Sequence, residues 1–350
     1  MKIIGCDVHT RYQVVAWVDE ETGEIRTRRL EHGKDEVRAF YAGWPRGACV
    51  GIEATLPALW FERLLGECGH ELWVGDAAEI WARSVRRQVT DTRSAEHLLD
   101  LLLTKRFPRI WVPTAEERDV RQLLVHRMKL VRVRTLMKNQ LHALAMSQGV
   151  CRKRKLWTVT GRAELEGLAL LPWARRRRKE LLELLDRLEA VIKPLDQAVE
   201  EEAKARPEAV RLMTHPGVGP VTSLAYVLTL GPVARLANSR KLVSYLGLNP
   251  SEHSSGGRQR LGPISKQGNT MLRWLLVEAA QTAVAGDPEL RRAYQRLKFH
   301  RVSGVAKVAM ARRLAVRLYW MLRARRDYAQ LALTSGSPSS AVVDSNPSTV

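Results

Sequence analysis

The sequence predicts a mixed α/β front followed by a mainly helical, basic back. Three observations carry this expectation. Short apolar runs separated by turn signals fill the first quarter of the chain. Leucines then recur at helical spacing over much of the remainder. The charge divides as well: residues 1–113 hold 16 Lys+Arg against 17 Asp+Glu, and the rest holds 41 against 20. A chain of 350 residues with 45% hydrophobic content can build more than one core.

Lys2–Val8 and Tyr12–Val18 are apolar runs, Glu20–Glu24 supplies a turn, and Ile25–Glu31 alternates in strand fashion. These predict three strands in hairpin succession. Asp35–Trp44 reads as an amphipathic helix, Ala48–Ala54 as a fourth strand and Pro57–Cys68 as a helix with proline in its first turn. Glu71–Val74 is a fifth strand, with a helix from Ala77. Three antiparallel strands followed by alternating helices and strands is compatible with an RNase H-like layout. Thr90–Leu103 is a helix capped by Thr90 or Asp91, burying Leu98, Leu99, Leu102 and Leu103.

Glu116–Gln148 is a long basic helix in which Leu123, Leu130, Met137 and Leu144 recur every seven residues, as on a coiled-coil face, and Gly149 ends it. A basic connector contains Arg152-Lys-Arg154-Lys155 and Arg175-Arg176-Arg-Arg-Lys179. A second helix presents Leu181, Leu185, Leu188, Ile192 and Leu195, so the two form an antiparallel hairpin or a dimer contact. Pro216-Gly217-Val-Gly219-Pro220 resembles a helix-hairpin-helix turn whose backbone N–H groups can face a phosphate. Ser251–Asn269 is a glycine loop leading into a buried helix, Leu272–Ala280, capped by Asn269 or Thr270. Val305–Tyr328 is a basic helix that includes Arg312, and the Ser-rich Thr334–Val350 is expected to be a disordered tail. The expected division is therefore 1–113, 114–205, 206–333 and 334–350.

The net charge of +20 and pI near 10.3 call for a polyanionic partner, either nucleic acid or an anionic membrane surface. No apolar run reaches the ~18 residues a bilayer span needs, and Met1–Asp7 lacks the apolar core of a signal peptide. Cys6, Cys49, Cys68 and Cys151 show no CxxC spacing, so neither a zinc site nor a disulfide framework is indicated. A reducing cytoplasm is the expected location.

Candidate chemistry falls into two groups. Asp7 and Glu53 sit near the ends of predicted strands among apolar residues. A carboxylate placed there needs a partner or a metal, and on neighbouring strands the two suit Mg²⁺, which prefers hard oxygen ligands. Asp91 serves as a helix cap or a third ligand; position 94 shares its helix face, whereas Asp100 lies opposite and Glu96 well round. In the glycine loop, Ser251, Ser254, Ser255 and Ser265 are candidate nucleophiles, with Arg258, Arg260 and Lys266 as phosphate-holding cations.

These motifs, in this order, resemble the insertion-sequence-110 family, the DEDD transposases. The carriers are Gly5-Cys-Asp-Val-His9, Gly51-Ile-Glu-Ala-Thr55, Thr90–Glu96, Lys138–His142, Pro216–Pro220, Tyr245–Pro250 and Ser255-Gly-Gly with Gly262–Asn269. The resemblance implies a RuvC-like, RNase H-fold N-terminal domain over 1–113, a coiled-coil insert over 114–205 and a C-terminal domain over 206–333 bearing a nucleophilic serine. Asp7, Glu53 and Asp91 match the family's first three acids, and Ser94 stands where the fourth is expected. Either Ser94 supports the metal through its hydroxyl or a water, or metal binding is weakened. Ser255 matches the nucleophile, with Ser254 one residue away.

The implied activity is DNA transposition through a serine–DNA phosphodiester, with Mg²⁺ at the acidic cluster. The implied partners are donor and target DNA, a structured noncoding RNA and further copies of the chain, as dimer or tetramer, in the bacterial cytoplasm and nucleoid, with no membrane. Gly217, Gly219, Arg152, Arg154, Arg176, Arg258, Arg260, Lys266 and Arg312 are the expected nucleic-acid contacts. Two alternatives stay open: a RuvC-type nuclease that uses water, and a catalytically impaired nucleic-acid-binding protein.

Overall fold

The fold, given by a computed structural model, is described for residues 2–33, 35–54, 59–84, 90–152, 155–255, 257–258 and 260–335. Arg154, Gly256 and all but the first two residues of Thr334–Val350 lie outside the described residues. The chain divides into two compact units, Met1–Val112 and Pro113–Val350.

The first unit is a mixed α/β sheet. Strands β1 (Ile3–Val8), β2 (Tyr12–Val18) and β3 (Ile25–Glu31) form an antiparallel meander. Helix α1 (Glu36–Ala42) leads to β4 (Cys49–Glu53), and α2 (Leu59–Cys68) leads to β5 (Glu71–Gly75). Helices α3 (Ala77–Ala82) and α4 (Asp91–Leu103) follow. The sheet order is β3-β2-β1-β4-β5, with β1, β4 and β5 parallel to one another. Inner parallel strands are covered on both faces, and Cys49–Ile52 of β4 is accordingly buried throughout. The edge strand β3 carries Arg26, Arg28 and Arg29 instead, a charged edge that discourages pairing with another chain.

Side chains alternate along β1. Ile4 and Cys6 enter a core with Val15, Tyr41, Phe61 and Leu65. Gly5 faces the other way, toward α4, where Ala95 and Leu99 pack with Val14 and Ala16. A Cβ on Gly5 would lie 2.3 Å from the Ala95 carbonyl oxygen and 2.4 Å from the Leu99 nitrogen. Helix α4 therefore touches strand β1 backbone to backbone. Thr90 is its N-cap, accepting a hydrogen bond from the Arg93 N–H.

The second unit is mainly helical. Helix α5 (Ala115–Ser147) opens with a capping box between Thr114 and Glu117. Helices α6 (Val159–Gly167) and α7 (Pro172–Lys204) follow. Arg127 pairs with Asp196 at 2.5 Å, and Arg134 and Lys138 reach Glu189 at 3.2 and 2.9 Å. This descending register makes α5 and α7 antiparallel neighbours within one chain. The heptad positions Leu123, Leu130 and Met137 are only half-buried; Val120, Leu124, Met128, Leu141, Leu144 and Ala145 lie deepest. The helix packs on the other helices of its unit as well as on α7, and this widens its apolar face beyond a two-helix seam.

Helices α8 (Pro207–Met213) and α9 (Pro220–Leu230) flank the Gly217 turn, and α10 (Ser239–Tyr245) follows. A two-stranded hairpin, β6 (Pro250–Glu252) and β7 (Leu261–Ile264), then leads to α11 (Thr270–Gly286), with Asn269 as its N-cap. Helices α12 (Pro288–His300), α13 (Ser303–Ala324) and α14 (Tyr328–Ser335) complete the unit. The helix expected over Val305–Tyr328 stops earlier, at Ala324, because Arg325 adopts a left-handed conformation at φ 52°. Thr334 and Ser335, expected in the tail, belong to α14. Among the described residues, no helix is long and apolar enough to cross a membrane.

One buried cation fastens the glycine loop. Arg273, 9% exposed, donates to the carbonyls of Leu246 (3.3 Å), Gly268 (3.0 Å) and Gln267, and to Thr270 Oγ1 (3.1 Å). The two chain segments it joins cross at Gly247 (φ 65°) and Gly268 (φ 73°), where a Cβ would lie 2.1 Å from the carbonyl oxygen of Gln267 or Tyr245 respectively.

Two stability outcomes are expected. Gly5→Ala forces α4 off β1 and costs roughly 1–3 kcal/mol or more, whereas Gly66→Ala, in α2 with open space around it, is neutral or gains up to about 1 kcal/mol; paired thermal melts read the contrast. Arg273→Met leaves several carbonyls without donors and costs about 2–3 kcal/mol, with faster proteolysis between residues 247 and 268 than elsewhere in the chain.

Candidate active site

Asp7 lies near the end of β1 and Glu53 ends β4. The parallel register pairs Cys6 with Ile52, which sets the two carboxylates side by side at one end of the sheet. The α4 contact at Gly5 delivers the first turn of that helix to the same place. Ser94 hydrogen-bonds the Asp7 carboxylate. Asp91 accepts a hydrogen bond from Tyr12 Oη at 2.8 Å. With Thr90 serving as the cap, capping does not account for Asp91. Asp100, placed opposite by helix geometry, is exposed and pairs with Arg106 at 3.3 Å.

A residue that sequence reasoning gave no role joins them. His9 Nε2 is 3.4 Å from Asp7 Oδ2 and 3.5 Å from Asp91 Oδ2. One ligand atom from each of Asp7, His9 and Asp91 lies within 4.8 Å of the others. Nε2 is buried and makes no hydrogen bond. The available signal was spacing: residues 7 and 9 share one side of an extended chain. Tyr12 stacks beside His9 at 4.7 Å, and Arg29 lies over the Tyr12 ring at 3.6 Å.

The electrostatics match a crowded acidic site. Burial raises the Asp7 carboxyl above the ordinary range and the charge of Asp91 adds to this, while His9 and Ser94 oppose it. Burial also raises Glu53, with the Asp7 charge contributing. The hydrogen bond to Asp91 raises the Tyr12 hydroxyl. Groups held above their usual pKa in the folded chain bind protons, or a cation in their place, more readily than in the unfolded chain. The donor set of two carboxylates, an adjacent third and an imidazole without a hydrogen bond fits a divalent metal ion.

The second unit holds the serine loop. Ser251 Oγ donates to the Pro263 carbonyl at 3.0 Å, and Ser265 Oγ to Asn249 Oδ1 at 2.9 Å. Ser254 Oγ donates to Glu252 at 2.6 Å and accepts from the Arg260 N–H at 3.1 Å. Ser255 is exposed, and its hydroxyl makes no hydrogen bond among the described residues. Its carbonyl accepts from the Arg258 N–H at 3.1 Å. Arg258, Arg260 and Lys266 are exposed on the same loop, Lys266 in a left-handed conformation at φ 58°.

The other expected contacts separate by environment. Gly217 (φ 82°) is pressed against α11, where a Cβ would meet the Ala283 nitrogen at 2.5 Å, so packing alone accounts for it. Gly219 caps α9 in open space. Arg152 pairs with Glu164 at 2.6 Å and Arg176 with Glu180 at 2.8 Å, both on the surface. Arg312 is exposed on α13, within residues 290–326, a stretch with 12 Lys+Arg and no Asp or Glu.

Comparison with known proteins identifies the family. A family model described as "Transposase IS116/IS110/IS902 family" matches residues 209–295, and a DEDD-type IS110 transposase model matches residues 4–147. A probable family 20 transposase of Pseudomonas aeruginosa is 30% identical over 336 residues, covering 92% of this chain and 96% of that one. The transposase for insertion sequence element IS1111A of Coxiella burnetii is 29% identical, with 80% and 77% covered. The transposase for IS1328 of Yersinia enterocolitica is 28% identical, with 72% and 75% covered. The chain belongs to the IS116/IS110/IS902 family of transposases and is an insertion-sequence DNA transposase.

Proposed function

We propose that the chain cuts and rejoins DNA through a phosphodiester formed on Ser255, with a divalent cation at Asp7, Glu53 and Asp91. The observation that carries this reading is the division of labour among the loop serines. Ser251, Ser254 and Ser265 spend their hydroxyl protons on the loop's own acceptors, whereas Ser255, exposed like Ser254, shares the loop with Arg258 and Arg260. Attack of its Oγ on phosphorus forms an O–P bond and releases one DNA hydroxyl. Attack by a second DNA hydroxyl reverses this, so the phosphodiester energy is kept for rejoining.

A cation bound at the cluster would lower the pKa of a reacting hydroxyl and stabilise charge on the phosphate oxygens. The all-oxygen members Asp7, Glu53 and Asp91 suit Mg²⁺. Ser94 holds Asp7 through its hydroxyl, and Tyr12 orients Asp91. The sheet order β3-β2-β1-β4-β5 with acids at the ends of β1 and β4 supports a RuvC-like, RNase H-type domain. The antiparallel pair of α5 and α7 supports a coiled-coil insert at 114–205. The excess of cations after residue 113, densest over 290–326, supports a nucleic-acid surface, and we assign donor and target DNA and a structured guide RNA to it, with a dimer or tetramer as the working assembly.

Ser255→Ala is expected to abolish a trapped protein–DNA adduct when the protein is incubated with its element's RNA and labelled DNA. Cleavage that persists in this variant assigns the reaction to water; binding without cleavage by the wild type assigns a purely binding role. A second expectation concerns charge. With Asp7 and Glu53 raised above their unfolded values, stability without metal rises as the pH falls toward the folded pKa values, and the ionised cluster weakens the fold at neutral pH. Asp7→Asn should therefore melt higher than wild type in EDTA at pH 7, yet lose the wild type's stabilisation by added divalent cation. A variant that melts lower in EDTA and keeps that stabilisation contradicts the cation site.

A further inference from the structure

We infer that His9 is itself a metal ligand beside the carboxylates of Asp7, Glu53 and Asp91, and that its nitrogen makes the cluster select a divalent first-row transition ion, with Mn²⁺ as its hardest member, over Mg²⁺. This rests on the reading of the cluster as a cation site and names the class of ion it takes.

The distances leave room for an ion between the three groups. A charge-assisted hydrogen bond between imidazolium and carboxylate closes to about 2.7–2.9 Å. His9 Nε2 instead stands off at 3.4 Å from Asp7 Oδ2 and 3.5 Å from Asp91 Oδ2, nearly equidistant. Ligands bound at about 2.1 Å to one ion lie roughly 3.0–3.4 Å apart for right-angle to tetrahedral geometry. The observed separations sit at the upper edge of that spacing. All three ligand atoms lie within 4.8 Å of one another, close enough to reach one ion.

The ring is held there by other means. The His9 backbone N–H donates to the Tyr12 carbonyl at 2.9 Å, closing the β1–β2 turn, and the Tyr12 ring lies at 4.7 Å. Tyr12 Oη fixes Asp91 at 2.8 Å. Such outer contacts orient ligands before an ion arrives.

The donor set determines the preference. Mg²⁺ seeks near-octahedral oxygen and sheds water reluctantly, whereas imidazole suits later divalent ions and Mn²⁺ accepts both donor types. One helical turn after Asp91, at the position facing Asp7, stands the neutral hydroxyl of Ser94, hydrogen-bonded to Asp7. Position 94 therefore adds no anionic oxygen to those of Asp7, Glu53 and Asp91, whereas His9 adds a nitrogen donor.

The test is Mn²⁺ binding by the full-length chain, read by pulsed electron paramagnetic resonance for coupling to a directly bound ¹⁴N, with Mg²⁺ competing. Wild type should bind Mn²⁺ at least about tenfold more tightly than Mg²⁺ and show nitrogen coupling. His9→Gln should lose that coupling and at least about tenfold in Mn²⁺ affinity, with unchanged circular dichroism. Ser94→Asp should retain the coupling and shift the selectivity toward Mg²⁺, and this arm stands alone should His9→Gln not fold. Mn²⁺ binding without nitrogen coupling, or unaltered in His9→Gln, overturns the role of His9 and leaves the cation site standing. An unshifted selectivity in Ser94→Asp, or equal affinity for the two ions in wild type, overturns the selectivity. Absence of binding by either ion removes the cation site itself, and the inference with it.

Discussion

The contact of helix α4 with strand β1 at Gly5 is the constraint on which the acidic site depends. A side chain on Gly5 would overlap the backbone of Ala95 and Leu99, and the helix can settle so close only because that side chain is missing. Asp91 and Ser94 lie in the first turn of the same helix and Asp7 lies two residues beyond Gly5 on the same strand. One packing contact thus fixes the spacing of groups that come from distant parts of the chain. The parallel pairing of β1 with β4 fixes Glu53 in the same way, through register rather than side-chain contact.

The serine loop depends on a different constraint. It has little apolar surface of its own, and Ser254, Ser255, Arg258 and Arg260 are all exposed. Its geometry comes from backbone hydrogen bonds at its base. There, two glycines in left-handed conformations let the chain cross itself and Arg273 satisfies the carbonyls left over. A loop fastened at its base, with Ser255 exposed, suits a nucleophile that must reach a bulky polymer. Asp7, in contrast, must hold still among like charges. Its carboxyl is raised by burial and by Asp91, so an ion that neutralises the cluster also stabilises the fold. That linkage makes metal binding and stability two readings of the same interaction.

Much of this was legible in the sequence, and the exceptions have physical causes. The strands and helix α4 were readable because alternation and caps are local signals; Thr90 and Asn269 cap the helices expected of them. Asp7 and Glu53 stood out because carboxylates are costly among apolar neighbours, and Asp91 because it opens a helix. His9 did not, since a histidine after a strand carries no such cost and its value appears only when Asp91 is folded against it. Arg273 was hidden for the opposite reason: inside an apolar helix it reads as one more cation in a basic region, and its burial depends on carbonyls up to 27 residues away. The heptad of Leu123, Leu130 and Met137 described a two-helix seam, but further packing partners spread the buried face of α5 around it. Arg325 ended a helix that its periodicity would have continued, because left-handed backbone at a non-glycine residue leaves no trace in a hydrophobic pattern.

On the proposed reaction, one hydroxyl of the loop, at Ser255, becomes covalently joined to DNA. Tandem mass spectrometry of the nucleotide-linked peptide from a nuclease-digested adduct tests it most directly. A phosphodiester on Ser255 is expected, with Ser254, whose hydroxyl is already committed to Glu252, unmodified. A linkage on Ser254 or on any other residue would contradict it.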